Sequence, residues 1–200
     1  MKKILMSLFT IGLVTSLAIG ATQAQYSDTE TSNDNTFTAG SLNLTLDGHD
    51  GTNDVKWVVG PMVPGNQPKG TFHLANTGNV AGFVDLENIV VTSQENGIIE
   101  PETQAGDTTT PEGELEDVLN LRLFTDLNCD GWISTGDVTF FNGKVGTIAS
   151  SYNQNVSVPA GGTACITGIY DWWDTVDDNK AMTDSFELDM TFELGQSAAQ

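Results

Sequence analysis

Apolar and polar residues alternate most regularly near the carboxyl end of the chain, in the stretch SFELDMTFELG at positions 185–195. Every second residue is apolar from Phe186 to Leu194, and the residues between them are acidic or threonine. Successive side chains of a strand point to opposite faces, so one face meets a core and the other meets water. The stretch therefore predicts a half-buried β-strand.

Shorter strand candidates occupy much of the rest of the chain: SLNLTLDG, VKWVVG, GTFHLAN, GFVDLENIVVTS, LNLRLF, DVTFFNG, QNVSVPA and TACITGIYDWW. Turns rich in glycine, proline and asparagine, such as PGNQPKG and NTGN, separate them. A short helix is predicted at Glu114–Leu119, and the polar stretch PETQAGDTTTPEGE at 101–114 is predicted to be an exposed loop. Many short strands joined by such turns indicate one all-β domain, a sandwich or jelly roll.

Two further acidic stretches, DGHDGTND and DWWDTVDDN, show no recognised spacing of metal ligands and are interpreted as solvated loops. The second contains adjacent tryptophans, Trp172 and Trp173, which would face opposite sides of a strand. We expect one ring to lie in the core and the other to be exposed, where it would offer a contact surface.

The first residues of the chain have the pattern of a secretion signal. Lys2 and Lys3 precede a mostly apolar run from Ile4 to Ile19, and small residues end the segment at Ala24. The run is short for a membrane span, so residues 1–24 are predicted to be a signal peptide and Gln25 the mature start. A retained N-terminal anchor is the alternative.

The composition restricts the partners of the mature protein. The chain carries a net charge of −20, and loss of Lys2 and Lys3 makes the mature part more negative still. Such a charge repels nucleic acid and anionic membrane surfaces, and it favours divalent cations. Export makes a disulfide between Cys129 and Cys165 plausible, with two separate thiols as the alternative.

The stretch DLNCDGWISTGD at positions 126–137 has the ligand order of a calcium loop. Gly131 at the sixth position permits the sharp turn, and Ile133 at the eighth is expected to point inward. The last position is an aspartate, as in dockerin-type loops, instead of the glutamate of an EF-hand. The predicted ligands are Asp126, Asn128, Asp130, the carbonyl of Trp132, Ser134 and Asp137.

The flanks of this loop, LNLRLFT and DVTFFNG, have the patterns of strands, which argues against an EF-hand. The alternative is a metal-free turn held by aspartate side chains that accept backbone hydrogen bonds. If calcium binds, we expect its role to be structural, because it would neutralise three carboxylates in one tight loop of an acidic protein.

Few residues of the chain offer catalytic chemistry. The two histidines, His49 and His73, do not form an HExxH zinc motif, and neither a GxSxG nucleophile elbow nor a glycine-rich phosphate loop is present. Carboxylate pairs are too numerous to identify a glycosidase or to exclude one. We therefore expect a protein that is not an enzyme. Asn43 and Asn155 lie in glycosylation sequons and are candidate modification sites.

The segment after the signal, QYSDTETSNDNTFTAGSLNL at 25–44, resembles the start of mature proteins of the TasA/camelysin family. Further on, PGNQPKGTFHLANTGNVAGFVDL resembles the second hallmark of that family. LNLRLFTDLNCDGWISTGD and IYDWWDTVDDN resemble archaeal members, the subunits of bundling pili. The resemblance covers most of the mature chain.

This resemblance implies a secreted structural protein with a jelly-roll-like β-sandwich at residues 36–200, one or two short helices and an extended N-terminal strand. Family members form extracellular fibres at the cell surface or in the biofilm matrix. There the N-terminal segment of one subunit adds as a strand to the next. Residues 25–35 would be this donor strand, with Tyr26 as its main apolar anchor among Gln25, Tyr26, Ser27, Asp28, Thr29, Glu30, Thr31 and Ser32.

The expected function is thus a filament subunit that self-assembles head to tail, with lateral bundling that calcium would assist. Sequence alone gives the segment 25–34 the composition of a disordered tail, so the donor role follows from the resemblance. The alternative is a monomeric secreted module that binds a carbohydrate or a cell-surface partner through Trp172 or Trp173. Some relatives carry a peptidase label, which the residues here do not support.

Overall fold

The computed structural model describes residues 39–51, 62–173 and 178–198, which all lie in one compact unit of the chain, Ala39–Gln200. Its helices are α1 (Glu100–Ala105) and α2 (Leu115–Val118), and two 3-10 turns cover Val145–Thr147 and Asp178–Lys180. The strands are β1 (Leu44–Leu46), β2 (His49–Asp50), β3 (Lys69–Asn76), β4 (Gly82–Gln94), β5 (Leu119–Asp126), β6 (Val138–Lys144), β7 (Tyr152–Val158), β8 (Thr163–Trp172) and β9 (Ser185–Gly195).

The described strands form two antiparallel sheets. The larger sheet has the order β2-β1-β3-β8-β5-β6, and the smaller sheet has the order β7-β4-β9. Strand β8 lies at the centre of the larger sheet, where Thr167 faces Thr71 of β3 on one side and Phe124 of β5 on the other. Strand β4 is central in the smaller sheet and pairs with nearly the whole length of β9.

The core lies between the two sheets in two adjoining clusters. One cluster contains Leu121 and Leu123 of β5 with Tyr170 and Trp172 of β8. The other contains Leu74 of β3 and a group of buried residues from three other strands: Val84, Leu86, Ile89, Val158 and Ile166. Leu188 of β9 and Phe140 of β6 pack against both clusters, which makes the core continuous.

The prediction of an all-β sandwich is confirmed, and so is the short helix inside Glu114–Leu119. Each strand candidate between residues 41 and 195 has a counterpart, except VKWVVG, which lies outside the described residues. The signal peptide at 1–24 and the donor segment at 25–35 also lie outside them. Among the described residues, no helix is both long and apolar enough to cross a bilayer.

The prediction of an exposed loop at 101–114 is wrong. Helix α1 forms at Glu100–Ala105, and Glu102, Asp107 and Gly113 are buried. Pro101 stands in the first turn, where its missing N–H costs no hydrogen bond, and Glu102 caps the helix by accepting from the backbone N–H of Ile99. Local capping therefore orders a segment whose composition indicated a loop.

Candidate functional site

The predicted calcium loop connects β5 to β6, as its strand-like flanks indicated. A disulfide joins Cys129 of this loop to Cys165 of β8, with 5.5 Å between the two Cα atoms. Asp126 ends β5 and is 1 % exposed, and it sits directly opposite Cys165 in the sheet. The predicted disulfide is thus present, and it ties the loop to the central strand of the larger sheet.

The aspartates of the loop accept hydrogen bonds from its own backbone. The Asp126 carboxylate accepts from the Gly131 amide at 2.8 Å and from the Thr167 hydroxyl at 2.8 Å. Asp130 accepts from the Trp132 amide at 2.7 Å and from the Asn128 side-chain amide at 2.9 Å. These hydrogen bonds are the ones expected of an aspartate-held turn.

Asp137 closes the other end of the loop. Its two carboxylate oxygens accept from the backbone amides of Leu127 at 2.9 Å and Ser134 at 2.6 Å, and the second oxygen also accepts from the Ser134 hydroxyl. The Leu127 amide is the main cause that lowers the pKa of Asp137, with Ser134 adding to it. The residue is therefore ionised at neutral pH, as a calcium ligand must be.

Two side chains of the loop turn outward. The expectation that Ile133 points inward is wrong, because it is 47 % exposed. An EF-hand buries this position between paired helices, whereas strands flank the loop here. Trp132 is 55 % exposed, and its ring lies 3.6 Å from the Lys69 ammonium in a cation–π contact. Calcium binding at 126–137 stays a prediction.

A second group of carboxylates lies around α1. We call it the carboxylate cluster, and it comprises Glu95, Glu102, Asp107, Glu114 and Asp184. Ligand oxygens of Glu95, Glu102 and Asp184 lie within 4.8 Å of one another. Oxygens of Glu95, Asp107 and Glu114 do so as well. Glu95 belongs to both triplets and connects them.

Backbone structure brings these residues together from distant positions. Glu95 directly follows β4, and its amide donates to the carbonyl of Pro111 at 2.9 Å. Asp184 directly precedes β9, and its carboxylate accepts from the Glu114 amide at 2.6 Å. Because β4 and β9 are paired, the end of one and the start of the other lie side by side.

Four of the five carboxylates of the cluster have one oxygen held by the protein, whereas both oxygens of Glu102 accept hydrogen bonds, from the Ile99 amide and the Thr183 hydroxyl. Glu95 accepts from the Gly97 amide at 2.7 Å, and Asp107 accepts from the amide and hydroxyl of Thr109. The Thr109 hydroxyl also contacts Glu114. The second oxygens of Glu95, Asp107, Glu114 and Asp184 are buried without a hydrogen-bond partner in the structure.

Burial and neighbouring carboxylates together alter one titration strongly. The pKa of Asp184 is raised to about 7, mainly by burial, with smaller contributions from a side-chain hydrogen bond to Glu95 and from the charges of Glu95 and Glu114. In contrast, hydrogen bonds from Thr109 lower the pKa of Asp107, and the charge of Lys180 adds to this effect. A half-buried carboxylate whose pKa is raised this far lies where nearby positive charge does not compensate its own negative charge.

Sequence reasoning missed the carboxylate cluster. Its members come from three segments separated by up to 89 positions, and no spacing along the chain links Glu95 to Asp184. The sequence signal that was available is the density of acidic residues in 95–114, together with the capping pattern that orders α1. That density of acidic residues alone was interpreted as the sign of a solvated loop.

Strand β9 is an edge of the smaller sheet and carries the alternating pattern that opened the sequence analysis. Among the described strands it pairs only with β4. Its five core-facing side chains are half-buried, whereas Val84 and Leu86 on the central β4 are 0 % exposed. The polar side chains between them are exposed: Glu187, Asp189, Thr191 and Glu193.

The remaining predicted sites range from half-buried to buried and exposed: Asn43 and Asn155 are half-buried, Trp172 is buried and Trp173 is exposed. Asn43 donates from its side chain to Asp50 at 3.1 Å and to Thr77 at 2.8 Å. Asn155 lies in β7 with a φ of 50°. Trp172 is buried and donates to Asp178 at 2.9 Å, while Trp173 is 67 % exposed, which confirms the expectation of one buried and one exposed ring.

The histidines do not assemble a metal centre of the peptidase type. His73 contacts Asp47 at 3.2 Å, and His49 is exposed in β2. Neither contributes to the two carboxylate triplets, which are the groups of three metal-ligating acidic, histidine or cysteine side chains found among the described residues. Catalytic zinc sites ordinarily include histidine, so this donor set does not fit one.

The comparison with known families agrees with the resemblance found in residues 25–44. The sequence profile of the family described as camelysin metallo-endopeptidase matches residues 1–109. This match covers more than half of the 200-residue chain. No curated protein matches the chain at a significant level. The protein belongs to the camelysin family, which includes the TasA proteins.

Proposed function

We propose that the protein is a structural subunit of extracellular filaments, and that subunits join by donor-strand complementation. Membership of the camelysin family supports, at the level of the family, a secreted structural protein of the biofilm matrix. The assembly mechanism goes further, and one observation carries it. The long edge strand β9 leaves an apolar row half-buried.

An added strand beside β9 would complete the sandwich. The row of alternate apolar residues on β9 packs against the core, and no other strand of the described residues pairs with β9 on the side away from β4. At that edge, Phe192 contacts Phe72 across the two sheets at 5.2 Å between ring centroids. A neighbouring backbone would satisfy the outer hydrogen-bonding groups of β9 and shield this row from water.

The other sheet edges are less suitable acceptors. Strand β2 has two residues, and β7 has seven residues with a register shift opposite Val84 and Leu86. Strand β6 also has seven residues, and its pairing with β5 shifts between Leu123 and Phe124. Strand β9 has eleven residues, enough to pair with a donor of the length of residues 25–35.

The proposed donor is the segment 25–35 of a neighbouring subunit, with Tyr26 as its apolar anchor. A donor at one end of a subunit and an acceptor edge elsewhere make a head-to-tail contact, which generates a filament when it does not close into a ring. The full chain carries −20 and the mature subunit would be more negative still, so subunits repel laterally and calcium between acidic surfaces would promote bundling.

We propose a role without catalysis, although the family description names a metallo-endopeptidase. The support is the chemistry of the available ligands: His73 is engaged with Asp47 at the surface, and His49 lies outside both carboxylate triplets. A casein cleavage assay with and without zinc tests this. Cleavage that is lost in His73→Ala and retained in Thr71→Ala would contradict a purely structural role.

A monomeric secreted binding module is the second candidate, and the exposed ring of Trp173 favours it. Flat aromatic rings on a surface bind sugar rings and partner proteins. In this case the protein would remain a monomer at all concentrations. Binding to a glycan or cell-surface preparation would be lost in Trp173→Ala, whereas Val63→Ala, another exposed apolar position, would retain it.

The proposed function is tested by electron microscopy of two purified forms, one that begins at Gln25 and one that begins at Asn35. We expect filaments from the first form and single particles from the second. Both forms are imaged in calcium and in chelator, so that loss of bundling is distinguished from loss of assembly. Filaments from the form that begins at Asn35 would exclude 25–34 as the joint.

A synthetic peptide of residues 25–35 provides a matched control in trans. Added to the form that begins at Asn35, it should bind and raise the melting temperature, because it fills the edge of β9. The same peptide with Tyr26→Ala should bind more weakly, whereas a peptide with Thr29→Ala should retain most of the affinity. Equal stabilisation by a scrambled peptide would contradict strand-specific pairing.

A further inference from the structure

We propose that the carboxylate cluster of Glu95, Glu102, Asp107, Glu114 and Asp184 is a binding site for calcium, separate from the loop at 126–137 and independent of the filament role. The inference starts from geometry. Calcium binds oxygen ligands at about 2.3–2.6 Å, so oxygens around one ion lie within about 5 Å of one another. The two triplets of the cluster meet this condition at 4.8 Å.

Unpaired buried oxygens provide the second, independent observation. Asp107 is 5 % exposed, and its Oδ2 has no hydrogen-bond partner. Glu95, Glu114 and Asp184 each bury one further unpaired oxygen. A proton shared between Asp184 and Glu95 satisfies at most two of these oxygens. Native proteins pair nearly all buried polar atoms, so the oxygens left unpaired on Asp107 and Glu114 point to a positively charged ligand beside them.

The charges of the cluster lead to the same conclusion. The five carboxylates form two close triplets that share Glu95, and the charge of Lys180 acts on Asp107. Burial of carboxylates without compensating charge is costly, and the protein would avoid it by accepting protons or by binding a cation. In four of the five side chains, Glu95, Asp107, Glu114 and Asp184, hydrogen bonds to one oxygen leave the second oxygen available, which is how carboxylate ligands are held toward a metal.

The ligand type selects the metal. All five side chains offer oxygen, and neither histidine nor cysteine takes part, which disfavours zinc and copper. Magnesium usually retains several waters and binds one or two carboxylates, whereas calcium takes six to eight oxygens from a flexible set. A cluster with several carboxylates at non-adjacent positions therefore matches calcium.

The backbone is shaped to leave room for these carboxylates. Gly113 is buried, and a Cβ atom added there would lie 2.6 Å from Cγ of Asp184 and 2.8 Å from the carbonyl of Gln94. Only glycine allows the chain to pass this close to Asp184. The ligands also come from the end of β4, from α1 and its following turn, and from the start of β9, so a bound ion would cross-link all of these segments.

The test uses the full exported protein, stripped of metals with a chelator and desalted. Calcium titrated by calorimetry should bind, and 10 mM calcium should raise the melting temperature by about 5–10 °C if affinity is near 0.1 mM, as in other extracellular sites. Asp107→Asn should weaken binding at least tenfold, because it replaces the unpaired Oδ2 and keeps the oxygen that Thr109 contacts.

Two controls separate this site from the loop. Asp130→Asn, which changes the loop alone, should leave the calcium affinity of the cluster unchanged. Hydrogen exchange of the wild-type protein requires no variant, and calcium should protect amides of residues 95–114. No binding at 10 mM calcium, protection confined to 126–137, or an Asp107→Asn variant that binds like the wild type would each overturn the proposal.

Discussion

Removal of the disulfide between Cys129 and Cys165 should destabilise the protein without dismantling its sheets. The bond links positions 36 apart. In the chain-entropy model, closing a loop of that length in the unfolded chain contributes about 4 kcal/mol to the stability of the folded state. Strand β8, which holds Cys165, remains paired to β3 and β5 on either side, so the sheet retains its hydrogen bonds.

The variant Cys129→Ala/Cys165→Ala is therefore expected to unfold in guanidinium at lower concentration than the oxidised protein, with a loss of about 4–5 kcal/mol once the small cavity at the buried Cys165 is included. For a domain of this size the melting temperature should fall by about 8–18 °C. The m-value should rise, because the unfolded chain without its cross-link exposes more surface.

A matched variant isolates the contribution of the backbone conformation at position 129 to the free energy of unfolding. Cys129 has a φ of 56°, a left-handed conformation that glycine adopts without strain. Cys129→Gly/Cys165→Ala should thus be up to about 1 kcal/mol more stable than the double alanine variant. A loss below about 1 kcal/mol in both variants would refute the reasoning, since the cross-link would then constrain the unfolded chain very little.

Other predictions follow from single side chains. In chelator, the wild type should lose about 1–2 kcal/mol of stability relative to Asp184→Asn as pH rises from 5 to 7, because the folded state holds the Asp184 proton up to a pKa of about 7 and the unfolded state releases it near 4. A stability difference independent of pH in urea titrations would contradict the burial of Asp184 beside Glu95 and Glu114. Leu121→Ala, in the core, should cost about 2–5 kcal/mol, whereas Val138→Ala at an exposed position should cost less than about 0.5 kcal/mol.

Patterns that depend on neighbours in sequence predicted the structure well. The period of two in 185–195 gave β9 together with its buried and exposed faces, because the pleat alone determines which side chains share a face. Turn residues separated the other strands correctly for the same local reason. Family membership was also visible in residues 25–44, since the match is a contiguous motif.

Features that depend on pairing between distant strands were not predictable in this way. The order β7-β4-β9 places Glu95 beside Asp184, and only that pairing assembles the carboxylate cluster. The exposed position of Ile133 has a similar origin, because strands and not helices flank its loop. Acidic residues in a polar segment are compatible with both solvation and metal binding, and three-dimensional proximity decides between them.

The carboxylate cluster and the acceptor edge meet at one place in the fold. Asp184 immediately precedes β9, the strand whose outer edge is proposed to receive the donor. An edge strand that pairs on one side alone frays from its ends, because its outer hydrogen-bonding groups exchange with water. An ion that holds Asp184 to Glu95 would fix the first residues of β9 against the last residues of β4, and so keep the acceptor edge straight before a donor arrives.

Calcium would then increase the rate of subunit addition as well as thermal stability, and Asp107→Asn would remove both effects while leaving 25–35 intact. Growth measured by light scattering from preformed seeds, at equal subunit concentration, would show this as a calcium response that is present in the wild type and in Asp130→Asn but absent in Asp107→Asn. Equal growth rates of the three proteins in calcium would contradict a link between ion binding at the carboxylate cluster and donor addition at β9.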